Sequence, residues 1–346
     1  MTSVDVVVPC YNYARFLQEC VGSVLSQDGV DVRVLIIDDA SIDDTTQVGE
    51  RLASLDRRVS FRRHPKNVGH IATYNEGLEW ASADYLLLLS ADDYLLPDAL
   101  GRATRLMDAH PEVGLTFGNV VELRDGGHET RTKNVIGETR ILVGREFIAL
   151  SGAENLVATC SAVVRTELQK RVGGYRSELP HAGDMEMWLR FGAHAPVGFI
   201  SEWQGVYRQH KQNMSTAYYE ISSGDVVYTS TGRLADLQQR KAALDCFSQH
   251  CRDCVPQFNE LAHTLHHRLA DLAVQRASAA FNEGEMEACG QLRHFALAVC
   301  PDISRSARWA RLAVKRWMGA RMWRILSLAA ATIHGAGRHR EVWLRP

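Results

Sequence analysis

Acids stand where buried runs end in this chain, and their positions decide what chemistry it can do. Asp92 and Asp93 follow the apolar run Tyr85 to Leu89 after only Ser90 and Ala91. Two carboxylates at the end of a buried strand are near enough to share one hard divalent cation. Asp38 and Asp39 end a second apolar run, Val32 to Ile37, and Asp184 precedes Met187, Trp188 and Phe191 at helical spacing. Each acid also has an ordinary role open to it. Asp92 and Asp93 can form a solvated turn before a helix begun by Pro97, and Asp39 and Asp184 can cap helices.

The elements that must hold these acids are readable from periodicity. Val4 to Pro9, Val32 to Ile37 and Tyr85 to Ser90 are short, continuous runs that read as buried strands, and Val59 to Arg63 reads as a further strand between them. Between the first two, Phe16, Leu17, Cys20, Val21, Val24 and Leu25 recur as one helix face. A second helix carries Val48, Leu52 and Leu55, and a third opens after Gly69 with Ile71, Tyr74, Leu78 and Trp80 on its apolar side. Strands alternating with helices at this spacing predict a doubly wound, mainly parallel sheet. Between strand one and helix one stands Pro9-Cys10-Tyr11-Asn12, with no GxGxxG, which argues against a dinucleotide site. Base and ribose would then be held by side chains: Tyr11 against a base, Asp39 accepting from a uracil edge or a ribose hydroxyl. Core packing is the alternative for Tyr11.

The ordered series VVVPCYNYARFLQECVGSVLSQ, LIIDDASIDDT and KNVGHIATYNEGLEWASADYLLLLSADDYLLPDAL resembles glycosyltransferase family 2, which has the GT-A fold, over about residues 3 to 215. The resemblance implies that a nucleoside diphosphate sugar, with UDP as the common nucleotide, meets Pro9, Tyr11, Asn12, Asp39, Asn67, Gly69 and Asp92. It implies Mn²⁺ or Mg²⁺ at the DxD position, here Asp92 with Asp93, although Ser90 replaces the usual first acid. GDMEMWLRFG resembles the family's Glu-Asp segment, so Asp184 corresponds to the general base while Gly183 replaces the Glu. VYRQHKQNMS resembles the terminal Y-R-x-H segment, which gives His210 a place at the diphosphate or the metal and Arg208 a supporting one. The implied activity is inverting, metal-dependent sugar transfer to a carbohydrate or lipid-linked acceptor in surface polysaccharide or glycan synthesis. A hydroxyl displacing a nucleotide needs one carboxylate to take its proton. Ser90 and Gly183 keep open a non-catalytic glycan-binding or scaffold protein, and a nucleotidyltransferase lacks the glycine-rich phosphate loop it would need near strand one.

The 346 residues suggest two domains, a catalytic one over 1–217 and a helical one over 218–346. The segment from Gly114 to Ile148 reads as polar and irregular, with a hairpin tip at Arg124-Asp125-Gly126-Gly127, and Ser161 to Arg165 reads as a strand. ASAAFNEGEMEACGQLRHFALAVCPDI has one weak tetratricopeptide-like unit, for which a plain helical hairpin is the simpler reading. Charge is uneven: residues 1–220 hold 22 Lys+Arg against 30 Asp+Glu, and residues 221–346 hold 17 against 11. From Ser304 onward ten basic residues meet one acid, Glu341, with Trp309, Trp317 and Trp323 interleaved, a pattern suited to an anionic membrane surface or to a helix with a solvated basic face. The scattered cysteines and the start MTSVDVVVPC suggest a reduced, cytoplasmic location, peripheral at the inner face of the membrane, without a signal peptide or a span. Cys246, Cys251 and Cys254 near His250 lack the second tight pair of a zinc site. No nucleic-acid partner is expected.

Overall fold

The structure is a computed structural model that describes residues 1–333 except 125–126, 132, 215–218 and 223–224. The apolar runs form β1 (Ser3–Cys10), β2 (Asp31–Asp38), β3 (Val59–Arg63) and β4 (Tyr85–Leu88), all parallel, in the order β3-β2-β1-β4. Their crossovers are α1 (Ala14–Leu25), α2 (Thr45–Leu55) and α3 (His70–Trp80). Alternation along β1 divides the core: Val6 and Val8 pack with Leu17, Cys20, Val21 and Val24 of α1, and Val7 belongs to the opposite face. On that face α3 lies close, because Gly77 has no Cβ; one built there would meet Val7 Cγ1 at 2.1 Å. Leu55, expected on the apolar side of its helix, is exposed at the end of α2.

Beyond β4 the sheet turns mixed. β9 (Val163–Arg165) is antiparallel to both β4 and β6 (Leu115–Arg124), β6 is parallel to β10 (Val197–Gln209), and β5 (Tyr94–Leu95) closes that edge antiparallel to β10. β7 (His128–Arg131) pairs back onto β6 as a hairpin, with positions 125 and 126 of its tip outside the described residues, and β8 (Arg140–Leu142) flanks β10. The sheet thus has ten strands, parallel in its first half and mixed in its second. The expectation of an irregular segment from Gly114 is corrected by β6, a buried strand whose polar residues are paired: Thr116 donates to Val163 O (3.4 Å) and Asn119 to Ser201 O (2.5 Å). Satisfied polar groups can line an interior strand, and they hide it from a reading of hydropathy.

α4 (Ala99–Ala109) follows β5, and α5 (Gly144–Ser151), α6 (Thr166–Val172) and α7 (Gly183–His194) stand in the second half. A hairpin, β11 (Tyr219–Ser222) with β12 (Asp225–Tyr228), leads into α8 (Ser230–Cys251), α9 (Phe258–Glu283), α10 (Met286–Val299) and α11 (Ala307–Ile333). α9 and α10 form a plain helical hairpin that turns on Gly284 at φ 88°. One hydrophobic cluster runs from Val7, Leu86 and Phe117 through Trp188 and Phe191 to Leu237, Leu265 and Leu312, so the helices and the sheet share a core. The terminal tryptophans divide: Trp309 and Trp323 pack against that core, whereas Trp317 is 86% exposed. Arg324, Arg338, Arg340, Glu341 and Arg345 carry side chains outside the described set.

α5 crosses α7 at backbone contact. A Cβ on Gly144 would lie 1.7 Å from Gly192 O. Gly144→Ala must push the two helices apart and is expected to cost about 1–3 kcal/mol, read as a lowered urea midpoint. An unchanged midpoint would show that the crossing yields freely.

Candidate functional site

Parallel register brings the strand ends to one edge. Cys10 pairs with Asp38, so Tyr11 and Asp39 leave the sheet side by side, and Asp39 N donates to Cys10 O (2.9 Å). Tyr11 is 45% exposed, so its ring is not core packing. Pro9 is buried in β1 opposite Ile37. Asn12, at φ 60°, holds the facing loop: its Oδ1 accepts from Ile42 N (2.8 Å) and its N donates to Ser41 Oγ (2.9 Å). Asp39 organises a second loop, accepting from Val68 N (2.8 Å) and Gly69 N (3.0 Å) while facing His64 Nδ1 (2.8 Å). Asn67 Oδ1 also accepts from Gly69 N (3.1 Å), and Gly69 sits at φ 87°, a conformation glycine adopts without strain. Asp39 does not cap a helix; α2 begins at Thr45.

Asp92 and Asp93, both 3% exposed, follow β4 directly. Tyr94 and Leu95 pair with Val206 and Gly205, and that register sets Arg208 N 2.9 Å from Asp93 Oδ1. The Arg208 guanidinium donates to Asp92 O (2.7 Å) and to Glu19, and lies over the rings of Phe16 and Tyr94. His210 Nε2 stands 3.1 Å from Asp92 Oδ2, Asn213 Nδ2 donates to the same oxygen (3.2 Å), and Ser90 Oγ donates to Asp92 Oδ1 (2.5 Å). Tyr13 and Phe16 pack on the His210 ring, and a cavity of about 150 Å³ opens beside it along Arg124 and Arg208. Burial first, then the neighbouring Asp92, holds the Asp93 carboxyl well above its usual range. Among the described residues, no three His, Cys, Asp or Glu side chains already converge as a cation cage. Asp92 and His210 bond one another instead. Asn213, Glu19 and Tyr13 were not picked out from the sequence, and Phe16 only as part of a helix face, although all four lie within quoted motifs.

Asp184 lies in the first turn of α7, but the cap position is Ala182. Its Oδ2 accepts from Asn155 Nδ2 (2.7 Å) and its Oδ1 from Met185 N (2.7 Å), and burial pushes it above the usual carboxylate range. The phenol of the partly buried Tyr74 is pushed up by burial and then by the charges of Asp92, Asp184 and Asp93, so it feels both the acid pair and Asp184. Glu186, two residues from Asp184, is fully buried and committed to Arg190 (2.7 Å) and Arg176 (3.2 Å).

His64 was also missed, since nothing in its spacing marks it. Its Nδ1 faces Asp39 (2.8 Å) and its Nε2 faces Glu76 (2.8 Å). Burial opposes its charge, but the bonds to Asp39 and Glu76 and their charges outweigh it and raise His64 above 6.5. A raised folded value means that this link contributes fully below the unfolded pKa and fades as pH rises through the folded one. The stability difference between wild type and His64→Phe is therefore expected to be larger at pH 5.5 than at pH 8.5 in urea unfolding; equal differences would mean that the imidazole is not charged.

Comparison with known proteins agrees with this arrangement. Residues 5–172 match the model described as Glycosyl transferase family 2. A Campylobacter jejuni GalNAc(5)-diNAcBac-PP-undecaprenol beta-1,3-glucosyltransferase is 32% identical over 127 residues, 36% of this chain and 40% of that protein. The chain spans 64% and 60% of the first two curated relatives it matches. Among solved structures, S. aureus TarS 1-349 in complex with UDP-GlcNAc superposes at TM-score 0.57 with 16% identity, covering 90% of this chain and 92% of that one. Mannosyltransferase PcManGT from Pyrobaculum calidifontis, in complex with GDP-Man and Mn²⁺, superposes at 0.53 with 18% identity, covering 95% and 86%. At those identities the likeness is one of fold. With the matched domain, the mixed sheet and the strand-end acids together, residues 5–172 of this chain are a glycosyl transferase family 2 domain.

Proposed function

We propose that this protein is an inverting, metal-dependent glycosyltransferase that moves a sugar from a nucleoside diphosphate donor, UDP-linked in the first instance, to a carbohydrate or lipid-linked acceptor in surface polysaccharide or glycan synthesis. The observation that carries the reading is the buried Asp92–Asp93 pair bonded to His210, with Asp184 of α7 near enough for its charge to act on the same Tyr74 phenol. Oxygens of Asp92 and Asp93 with the His210 ring nitrogen suit Mn²⁺ or Mg²⁺, and a buried acid pair with Asp93 pushed up is short of positive charge. Bound there, a divalent ion would supply Lewis-acid neutralisation of the leaving diphosphate. Tyr11, exposed beside Asp39, offers its ring to the base; Pro9, Asn12, Asn67 and Gly69 shape the same edge.

In the transfer, the acceptor oxygen bonds to the anomeric carbon as the bond to the diphosphate breaks with its electron pair, and Asp184 takes the hydroxyl proton. Direct attack inverts the centre. Burial makes Asp184 a stronger base than a solvated carboxylate, and Asn155 fixes its orientation. The division we propose, catalytic over 1–217 and helical over 218–346, is one of role. One observation favours a non-catalytic glycan-binding protein instead: Ser90 Oγ and His210 already engage both oxygens of Asp92. Hydrolysis of UDP-sugars that requires Mn²⁺ or Mg²⁺ separates the two readings. Paired variants test the assignments. Asp92→Asn should abolish metal-dependent UDP affinity by calorimetry, and Asp184→Asn should keep it while turnover falls by roughly 10² or more. Undiminished turnover in Asp184→Asn would place the base elsewhere, and unchanged affinity in Asp92→Asn would return the acid pair to an ordinary turn.

We further propose a cytoplasmic protein that sits peripherally on anionic lipid through α11. Of its three candidate tryptophans, Trp317 suits that role, with Val314 and Met322 about half exposed and Arg311 and Arg316 also exposed. No helix among the described residues is long and apolar enough to cross a membrane. Arg311→Ser with Arg316→Ser and Trp317→Ser should lower flotation on phosphatidylglycerol vesicles on the order of tenfold, and salt should weaken the wild type. Equal flotation of both proteins would remove the lipid surface.

A further inference from the structure

The helical region reaches Asp184 through one buried acid. Asp236 of α8, 1% exposed, takes Arg240 (2.7 Å), Arg276 of α9 (2.7 Å) and His181 Nε2 (2.9 Å). His181 precedes Asp184 by three residues on the lead into α7. Arg240 also donates to Ala153 O (2.9 Å), and two residues further on Asn155 Nδ2 holds Asp184 Oδ2 at 2.7 Å. We infer that Asp236 with Arg240 and His181 forms a positioning clasp, by which the helical region fixes both chain segments that aim Asp184 at the acceptor. The inference rests on the reading of Asp184 as base.

The physical case is one of commitment. Burial alone would push Asp236 up, but Arg240, His181 and Arg276 outweigh it and hold its carboxyl far below the usual range, so it stays ionised at any working pH. A buried, ionised acid held by two arginines and a histidine from three segments of the chain has little freedom to rearrange, because breaking an arginine contact strands a charge. Arg240 is itself about nine-tenths buried, and its reach to Ala153 O joins α8 to the loop that follows α5. None of these groups bonds the acid pair, whose own partners are Arg208, His210 and Asn213. A proton acceptor must be held within hydrogen-bond geometry of the acceptor hydroxyl, and small displacements there cost turnover more than affinity.

The test uses the full chain with two mild variants that each loosen one arm, Arg240→Lys and His181→Gln, and a control, Leu292→Ala, which opens a cavity in α10. Hydrogen exchange read by mass spectrometry should quicken about tenfold or more at 153–156 in Arg240→Lys and at 180–185 in His181→Gln, and stay unchanged there in the control. With UDP-GlcNAc and Mn²⁺ as the probe, kcat for donor hydrolysis should fall about tenfold in both variants while KM stays within about twofold. Added to Asp184→Asn, Arg240→Lys should slow nothing further, since the two act through one group. Unchanged exchange in both segments, equal quickening in the control, or an additive loss in the double variant would overturn the clasp. Full turnover in Asp184→Asn would instead overturn the base assignment on which it rests, whatever the exchange result.

Discussion

Two adjacent carboxylates buried at the end of a central strand are the constraint around which the rest of this molecule is arranged. Asp92 and Asp93 are out of water, and like charges so close raise each other's cost of ionisation. The fold answers from three directions. β10 lends Arg208 N to Asp93 and carries the Arg208 guanidinium to Asp92 O; α1 supplies Glu19 and Phe16 to fix that guanidinium; the turn after β10 brings His210 and Asn213 to Asp92. Elements more than a hundred residues apart in sequence are thereby locked to one strand end. The divalent ion we propose there would relieve the crowding of negative charge that holds Asp93 above its usual range.

The first half of this arrangement was legible in the sequence. β1, β2 and β4 are runs rich in Val, Leu and Ile with acids or a Pro-Cys-Tyr-Asn turn at their ends, and parallel strands buried on both faces leave that mark; the edge strand β3, with only Val59 of its five residues buried, does not. The second half was legible only in part: Ser161 to Arg165 reads as a strand and contains β9, but β6 hides behind Thr116, Gly118 and Asn119, and β10 is interrupted by a register shift between Ile200 and Trp203. Pairing partners there are distant, and their polar residues are satisfied only once the partners are in place. The same limit applied to the site. Tyr11, Asp39, Asp92, Asp93 and His210 lie in recognisable segments, and so does Glu19, but nothing in the segment marks its partner Arg208, while His64 and Asn155 owe their positions to tertiary contact alone.

The helical region read from sequence as a separate body, because its periodicity changes after about Tyr218. Its hydrophobic residues nonetheless continue the core beneath the sheet, from Trp188 and Phe191 of α7 into Leu237 and Leu265. A helix pair that shares a core with α7 cannot move far without disturbing Asp184. Composition reveals a change of secondary structure, but not whether two stretches of chain bury one another.

α7 shows how the environment divides labour between two acids of nearly equal intrinsic strength. Asp184 and Glu186 are two residues apart, and either might have served as a proton acceptor on distance along the chain. Glu186 is sealed with Arg190 and Arg176, and Arg190 in turn donates to Gly174 O (2.9 Å) and to Val172 O, so that acid anchors the loop leading into the helix. Its charge is spent on structure. Asp184 meets no arginine at hydrogen-bond distance; it keeps an amide donor from Asn155 and a backbone N–H, and burial pushes its pKa up rather than down. A carboxylate held that way takes a proton more readily than a solvated one, which suits the base we propose, while its neighbour is occupied by two guanidinium groups. The two acids are separated by a single methionine, Met185.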